Sequence, residues 1–398
     1  MGRHSLGKML LAIMIASTLS GAGAREPALD PGTGRIRVIY MGDAWGGGSP
    51  YQHMVLDPKL SVTPVPASAQ HAGGMPNISR YIRIYVPRTY KRLVESQDVI
   101  ILSDTVKTYY QTYHIRWFGD AVIEGGRGMV MVGGREIQHG GWWDSPVEMA
   151  LPLEWVPQET FEGTPFRAIP TEPSNEFLDS LPWETMPPYS GMNIGIPKQG
   201  SRVLLQVEGE GYPVLVFWET GEGASVAHTP DWTPAWGGAI FNEWDYYADF
   251  VAHILYLAAG VRIPQDVEMM HQIREEFYLY SIQWGIITGM VEFVDMFGAN
   301  IRPLEEELRE VDGIKREASG LYIDQDYAEV LDLMIGARSR LDETLDMAQK
   351  IKDQALVWIY ITEATAVTGT FMISGIIIWA LMIKRRLYRE VRTTRSMG

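Results

Sequence analysis

The stretch GMVMVGGREIQHGGWW, Gly128 to Trp143, decides how this chain folds. Its first five residues form a short unbroken apolar run, the pattern of a strand buried on both faces, and they lead into a Gly-Gly turn. In α/β hydrolytic enzymes such a strand often feeds a tight strand-to-helix turn that holds a nucleophile. Here the residues after the glycines are Arg135 and Glu136, and the turn carries neither Ser nor Cys. The pattern is that of an elbow without its reacting group.

Upstream, Arg35–Met41 alternates and then becomes apolar, a strand entering a core, and it ends in the Gly-rich loop GDAWGGGSP. Leu60–Val65 reads as a second strand. A helix is expected over Pro87–Ser96, with Pro87 at a favoured first-turn position. Asp98–Leu102 is another apolar strand, and a helix around Ile115–Glu124 leads back to Gly128. Strands of this type separated by helices imply a parallel sheet covered on both sides. From Pro146 to Gly200 the chain is rich in Pro and aromatics and reads as an excursion of turns and short strands. Val203–Val207, Pro213–Glu219 and Ala224–His228 return as strands, the last two joined by the hairpin turn ETGEG. Phe241–Ala259 reads as one amphipathic helix ended by Gly260. The first domain is therefore placed at 35–260.

Residues 264–355 lack strand signals. Glu268–Gly298 is one long helical pattern, Arg302–Ala318 a charged helix, and SGLYID a turn before a third helix from Asp326. On that third helix Tyr327, Val330, Met334, Ala337, Leu341, Leu345, Ala348, Ile351 and Ala355 recur at three- and four-residue steps, a coiled-coil-like stripe that wants a partner helix. A helical hairpin or bundle follows, with a homo-oligomer through this stalk as an open expectation. Phe277–Val291 is uncharged but too short to span a bilayer and is assigned to the bundle.

Both ends point to a membrane. Residues 1–24 have a basic start (Arg3, Lys8), an apolar stretch Met9–Leu19 and the small-residue site Ala22-Gly23-Ala24, the three parts of a secretory signal. Ala364–Ile383 is twenty residues without a charge, about 30 Å as a helix, the thickness of a hydrocarbon core. The span is assigned to 356–383 and the tail to 384–398. That tail holds Lys384, Arg385, Arg386, Arg389, Arg392 and Arg395, and basic flanks stay cytoplasmic. The expectation is a single-pass membrane protein with its bulk outside the cytoplasm. Of the formal net charge of −15, the tail contributes +5 and the leader +2, which leaves −22 for residues 25–383. So acidic a surface repels nucleic acid. With 0 Cys, disulfides, thiolate metal sites and Cys nucleophiles are excluded.

Several stretches together resemble the class I glutamine amidotransferase-like superfamily, in its uncharacterised "putative glutamine amidotransferase" branch. They are YMGDAWGGGSPY, GMVMVGGREIQHGG, SPVEMALPLEW, LPWETMPPYSGMN, and VLVFWETGEGASVAHTPDWTPAWGG with the following EWDYYADFVAHILYLAAG. The likeness covers roughly Arg35 to Gly260. It implies a flavodoxin-like three-layer α/β sandwich, with its cleft at the carboxyl ends of the strands. The superfamily attacks its amide with a Cys thiolate activated by a His that a Glu orients. The elbow position falls at about Arg135, which cannot act as nucleophile. His228-Thr229-Pro230-Asp231 resembles the superfamily's His-Pro-Glu stretch with one residue inserted, so base and orienter would survive alone.

Asp43, Trp45, Arg135, Glu136, His139, His228, Asp231 and Trp236 all follow expected strands, and a parallel sheet gathers such loops at one edge. Acid, base and aromatic groups suit a polar ligand, and Arg135 offers a fork of donors to a carboxylate. The alternative is that Arg135 pairs with Glu136 or Asp43 and the Trp residues are packing. A metal site on His139, His228 and Asp231 has no diagnostic spacing, and no cofactor motif is present. GDAWGGGSP lacks the spacing and Lys of a phosphate loop. Asn77-Ile78-Ser79 is an acceptor triplet for N-linked glycan, and Glu363 lies at the outer end of the span. Three functions stay open. The chain is a ligand- or partner-binding module without amidotransferase activity, an extracytoplasmic hydrolase of carbohydrate or peptide using His228 and Asp231, or a structural subunit of a membrane complex.

Overall fold

The computed structural model describes residues 25–44, 48–68, 72–171 and 173–394. The signal expected over 1–24 therefore lies outside the described residues. The apolar runs pair into one eight-stranded sheet of order β2-β1-β3-β4-β10-β9-β8-β6. These strands are β1 (Ile36–Gly42), β2 (Leu60–Pro66), β3 (Val99–Ser103), β4 (Gly128–Val132), β6 (Ala168–Pro170), β8 (Arg202–Val207), β9 (Pro213–Thr220) and β10 (Gly223–His228). The first five in spatial order run parallel, and β9, β8 and β6 are then added with each strand antiparallel to its neighbour. That parallel part has the flavodoxin-like order, in which the chain leaves β1 in one direction and returns on its other side.

Alternation along each strand explains the layers. Ile36, Val38, Tyr40, Val99, Ile101, Val130 and Val132 belong to one buried cluster. Ile39, Met41, Ile100, Leu102, Met129 and Met131 belong to another. A strand whose odd and even positions are both buried needs a cover on each face. On the first face the cover is the helix Tyr247–Ala259, nearly every side chain of which is buried. On the second it comes from the helices Met75–Tyr85, Tyr90–Ser96 and Thr112–Ile123.

Numbered in chain order, the helices are α1 (Tyr51–Met54), α2 (Met75–Tyr85), α3 (Tyr90–Ser96), α4 (Thr112–Ile123), α5 (Pro146–Ala150), α6 (Pro234–Glu243) and α7 (Tyr247–Ala259). Three long ones follow: α8 (Val267–Asp295), α9 (Arg302–Ile323) and α10 (Tyr327–Thr394).

Several local expectations need correction. Helix α2 lies in a stretch to which the sequence analysis assigns no element, and Gly74 and Pro76 stand at its start as a cap and a first-turn proline. Helix α3 begins at Tyr90, since the Thr89 side chain accepts the Arg92 N–H and fixes the cap there. Phe241–Ala259 is two helices, α6 and α7, broken by the non-helical Trp244 and Tyr246. Gly260, with φ of 70°, does end α7 in a left-handed cap. The Pro-rich excursion has the expected turns and short strands, but it also contains a long antiparallel ribbon, β5 (Leu153–Phe166) with β7 (Tyr189–Pro197), whose register shifts fall at its prolines. The expected turn SGLYID is helical through Ile323, so α9 is longer than its charged part.

The chain divides into two compact units, residues up to Glu275 with Ser319–Val330, and Glu276–Ala318 with Leu331 onward. The first is the α/β unit plus the ends of the long helices. Inside it Arg274 is buried between Asp57 (3.0 Å) and Asp249, with the Tyr322 and Tyr256 hydroxyls on Asp57 at 3.0 and 2.7 Å. The second unit is helical. Arg338 bridges Glu276, Arg340 bridges Glu307 and Glu310, and Gln283 donates to Asp342. Met334, Ala337, Leu341, Ala348 and Ala355 of the expected stripe are buried. Helix α10 is long and apolar enough to cross a membrane, and its most apolar window is not buried within the molecule.

Candidate functional site

The sheet brings four chain positions into one row. Gly42 on β1 pairs with Ser103 on β3, Ser103 with Val132 on β4, and Val132 with His228 on β10. The next residues along, Asp43, Asp104, Gly133 and Thr229, cap the carboxyl ends of these parallel strands, where open α/β folds bind ligands.

At the centre of the row the expected strand-to-helix elbow is a different structure. After Val132 the chain turns through Gly133 and Gly134 into a single 3-10 turn, Ile137–His139, with no helix behind it. Gly134 has φ of 150°, and a Cβ there would sit 2.2 Å from Asp104 Cγ, so the close approach requires glycine. Its N–H donates to Asn193 Oδ1 at 2.7 Å. In a nucleophile elbow, the N–H of the residue after the nucleophile helps form the oxyanion hole. Here that residue is Glu136, whose N–H donates to Asp104 Oδ1 at 2.6 Å, with the Ile137 N–H on the same oxygen at 3.2 Å. A protein carboxylate occupies the donors that a substrate oxygen would need.

Three carboxylates gather at this edge. Asp43 accepts the Tyr40 hydroxyl at 2.6 Å. Burial raises its pKa to about 7, with Asp231 adding repulsion. Asp231 is raised to about 6 by burial, against the opposing hydrogen bonds of Thr233 and the charge of Arg135. Asp104 is pushed well above the usual carboxylate range by burial and then by Asp231 and Asp43. Like charges in one low-dielectric site cannot all ionise, so the cluster titrates as a unit.

The candidate residues divide accordingly. Asp43 and Asp231 come together, with Arg135 exposed near Asp231. Glu136 lies beside them but turns its carboxylate to Ser68 (3.0 Å) and Tyr109 (3.1 Å). His139 is exposed on the 3-10 turn. Trp236 is buried with its indole against Gly191, and its backbone carbonyl accepts the Ser190 hydroxyl at 3.0 Å. Trp45 lies outside the described residues. His228 is fully buried, and burial pulls its pKa to about 3, so its ring is neutral. Nε2 bonds the Tyr189 hydroxyl at 2.8 Å, and Nδ1 has no partner among the described residues. Asp231 is bonded to Thr233 instead, so the base-and-orienter link expected for His228 and Asp231 is not formed. Among the described residues no group of three His, Asp or Glu side chains is arranged to hold a metal ion.

Sequence reasoning passed over Asp104, Asn193 and Tyr40. Asp104 directly follows the strand VIILS and was open to the same strand-end rule as Asp43. Asn193 arrives from β7, inside the Pro-rich excursion, and nothing local signals it.

A family model described as "Putative glutamine amidotransferase" (GATase1_like) matches residues 86–259, the larger part of the sheet and the strand-end row except Gly42 and Asp43. The likeness read from the motifs therefore lies in the α/β unit. Among solved structures, the cytoplasmic protein STM1381 from Salmonella typhimurium LT2 is 19% identical with a TM-score of 0.45. The cytoplasmic protein STM3548 from Salmonella typhimurium is 18% identical at 0.47. Each match covers 56% of this chain and 99% of the other. The exo-beta-1,4-mannosidase Op5Man5 from Opitutaceae bacterium strain TAV5 is 12% identical at 0.32, over 56% of this chain and 36% of that one. At these scores none carries functional weight. Among curated proteins nothing matches the chain.

Proposed function

We propose that this glutamine amidotransferase-like domain is a binding module without amidotransferase activity, held at a membrane by α10 with the bulk of the chain outside the cytoplasm. The observation that carries the first half is the occupied elbow. Arg135 stands where the nucleophile belongs, the chain has 0 Cys, and the Glu136 N–H is committed to Asp104. Hydrolysis of an amide by the superfamily's route needs a thiolate and a free oxyanion donor. The anchored half is supported by the apolar, unburied segment of α10 and by the basic tail that follows it.

The chemistry left at the strand ends is an exposed guanidinium near carboxyl groups that hold their protons to higher pH than ordinary carboxylates. Such a surface suits a small polar ligand bearing a carboxylate, which Arg135 engages through two parallel N–H bonds. The hydrolase reading loses ground because His228 is neutral and sealed behind Tyr189, Phe250 and Trp232.

The test uses the full chain in nanodiscs. No ammonia is released from glutamine, and a screen of small carboxylates finds compounds that raise the melting temperature of the protein but not of Arg135→Ala. Glutaminase activity above a heat-killed control sinks the proposal.

A further inference from the structure

Within the helical unit, the connection between α8 and α9 is Met296-Phe297-Gly298-Ala299-Asn300-Ile301, six residues without a charge. It is an ordered turn. The Gly298 N–H bonds Asp295 O at 2.9 Å, the Ala299 N–H bonds Val294 O at 3.3 Å, and Gly298 takes a φ of 70°, the left-handed stop of a helix. Phe297 packs edge-on to Phe293, ring centroids 5.1 Å apart. Yet Met296 is 74% exposed and Phe297 48%. An exposed Met-Phe tip is not what a hairpin turn in water usually presents.

The tip faces α10 across a hollow of about 750 Å³ lined by Phe297, Asn300 and Pro303 on one side and Ile351, Trp358 and Glu363 on the other. The uncharged stretch of α10 begins at Ala364. At about 1.5 Å per residue, Trp358 sits roughly 9 Å along the helix from that boundary, about 7–8 Å of depth for a span tilted by roughly 20–40°, and Glu363 at its edge. The headgroup layer of a bilayer is roughly 5–8 Å thick on each side of its hydrocarbon core. Trp358 and Tyr360 are 68% and 67% exposed on this stretch, as aromatic residues at a membrane interface are.

We infer that the α8–α9 turn is a membrane-interface anchor, with Met296 and Phe297 seated among lipid headgroups beside Trp358. This rests on the reading of α10 as a membrane span. A lipid surface fits better than a second copy of the chain. Six residues with two large apolar side chains fall far short of the roughly 800 Å² per partner that a stable protein interface buries. The outer helices are then fixed at two points, the span and the turn.

The chain has 0 Cys, so single cysteines report without background. Phe297→Cys, Met296→Cys, Trp358→Cys, Ile376→Cys and Ile335→Cys are each spin-labelled in the full chain and reconstituted in phosphatidylcholine vesicles. Collision with oxygen and with a water-soluble nickel chelate is then read at each site. Ile335 is exposed and, at about 1.5 Å per residue, about 44 Å along α10 from Ala364. Sites 296 and 297 are expected to match 358, with nickel collisions reduced and oxygen collisions raised relative to 335, between that site and 376. If 297 reads like 335 while 376 reads as lipid-buried, the anchor is wrong and the span stands. If 376 itself meets nickel as freely as 335, the span reading fails and takes the anchor with it. Shielding of 296 and 297 from both reagents means that protein covers the tip, which also overturns the inference.

Discussion

Replacing Arg274 by Met tests how the α/β unit holds the ends of the long helices that belong to it. The Arg274 side chain is 6% exposed, and its partners Asp57 and Asp249 are 1% and 2% exposed. Removing the cation leaves two buried carboxylates facing each other. Breaking a buried pair by deleting one partner costs about 3–5 kcal/mol, or roughly 6–20 °C in melting temperature for a unit of this size. The pH dependence gives the claim its edge. Burial alone would raise the Asp249 pKa, but Arg274 and then His271 outweigh it and the net shift is downward. A lowered folded-state pKa gives stability that is present above the unfolded value, about 3.9, and is lost as pH falls through the folded one. In Arg274→Met that carboxyl keeps its burial without its cation, so its pKa rises and the variant regains stability on acidification. Guanidinium unfolding of the full chain in detergent, followed by near-ultraviolet circular dichroism at pH 7.5 and 4.5, reads both effects. The gap between wild type and variant should be several kcal/mol at pH 7.5 and shrink at pH 4.5. Adding Asp57→Asn and Asp249→Asn to the Met variant should recover most of it. A gap below about 1 kcal/mol, or one independent of pH, would refute the reasoning.

Three further outcomes are expected. Asp231→Asn removes a carboxyl raised to about 6. A raised folded-state pKa stabilises at low pH and loses that contribution as pH climbs through it, so the variant should be more stable than wild type at pH 8 by about 1–3 kcal/mol and lose that advantage by pH 4, checked by thermal melts across the range. Gly134→Ala drives a Cβ into Asp104 and should cost about 3 kcal/mol or more, visible as loss of soluble folded protein. Asn193→Ala strands the buried Gly134 N–H and should cost about 1–3 kcal/mol in denaturant titration, while Asn193→Asp, which keeps the acceptor oxygen, should cost less at pH 5 than at pH 8.

How far the sequence could be read depended on how local each determinant was. Gly128–Val132 was legible to the residue because a five-residue apolar run buried on both faces leaves no other pattern. The apolar runs of β1, β3 and β4 announced a two-sided parallel sheet for the same reason. The ribbon of β5 and β7 was not legible, because Pro157, Pro165 and the bulges around them destroy the period of two. The break between α6 and α7 contains neither Gly nor Pro, so no residue type marks it. The missing nucleophile was visible, since it needs only the identity of residue 135. The capture of the Glu136 N–H by Asp104 was not, since it joins two strand ends that only the finished sheet brings together. The setting of His228 lies beyond the same limit. Its chemistry suits a catalytic base, but its burial is a property of Tyr189, Trp232 and Phe250 closing around it.

The buried acids also bear on what the site can bind. Residues 25–383 carry a formal −22, so an anion approaching this part of the chain meets a net repulsion. At the strand ends, Asp43, Asp104 and Asp231 hold protons to higher pH than ordinary carboxylates, because burial and mutual repulsion oppose their ionisation. Around Arg135 the local charge is therefore more positive than the sequence suggests. It becomes more so on acidification, as the cluster takes up protons near pH 6 to 7. A carboxylate ligand that stays ionised should bind more tightly at pH 5.5 than at pH 8, measured by calorimetry at fixed ionic strength. Replacing Asp43 and Asp231 together by Asn should flatten that dependence while leaving the affinity at pH 5.5 largely in place. Tighter binding at pH 8 would mean that the ligand is held as a cation by ionised carboxylates, and Arg135 would then not be its anchor.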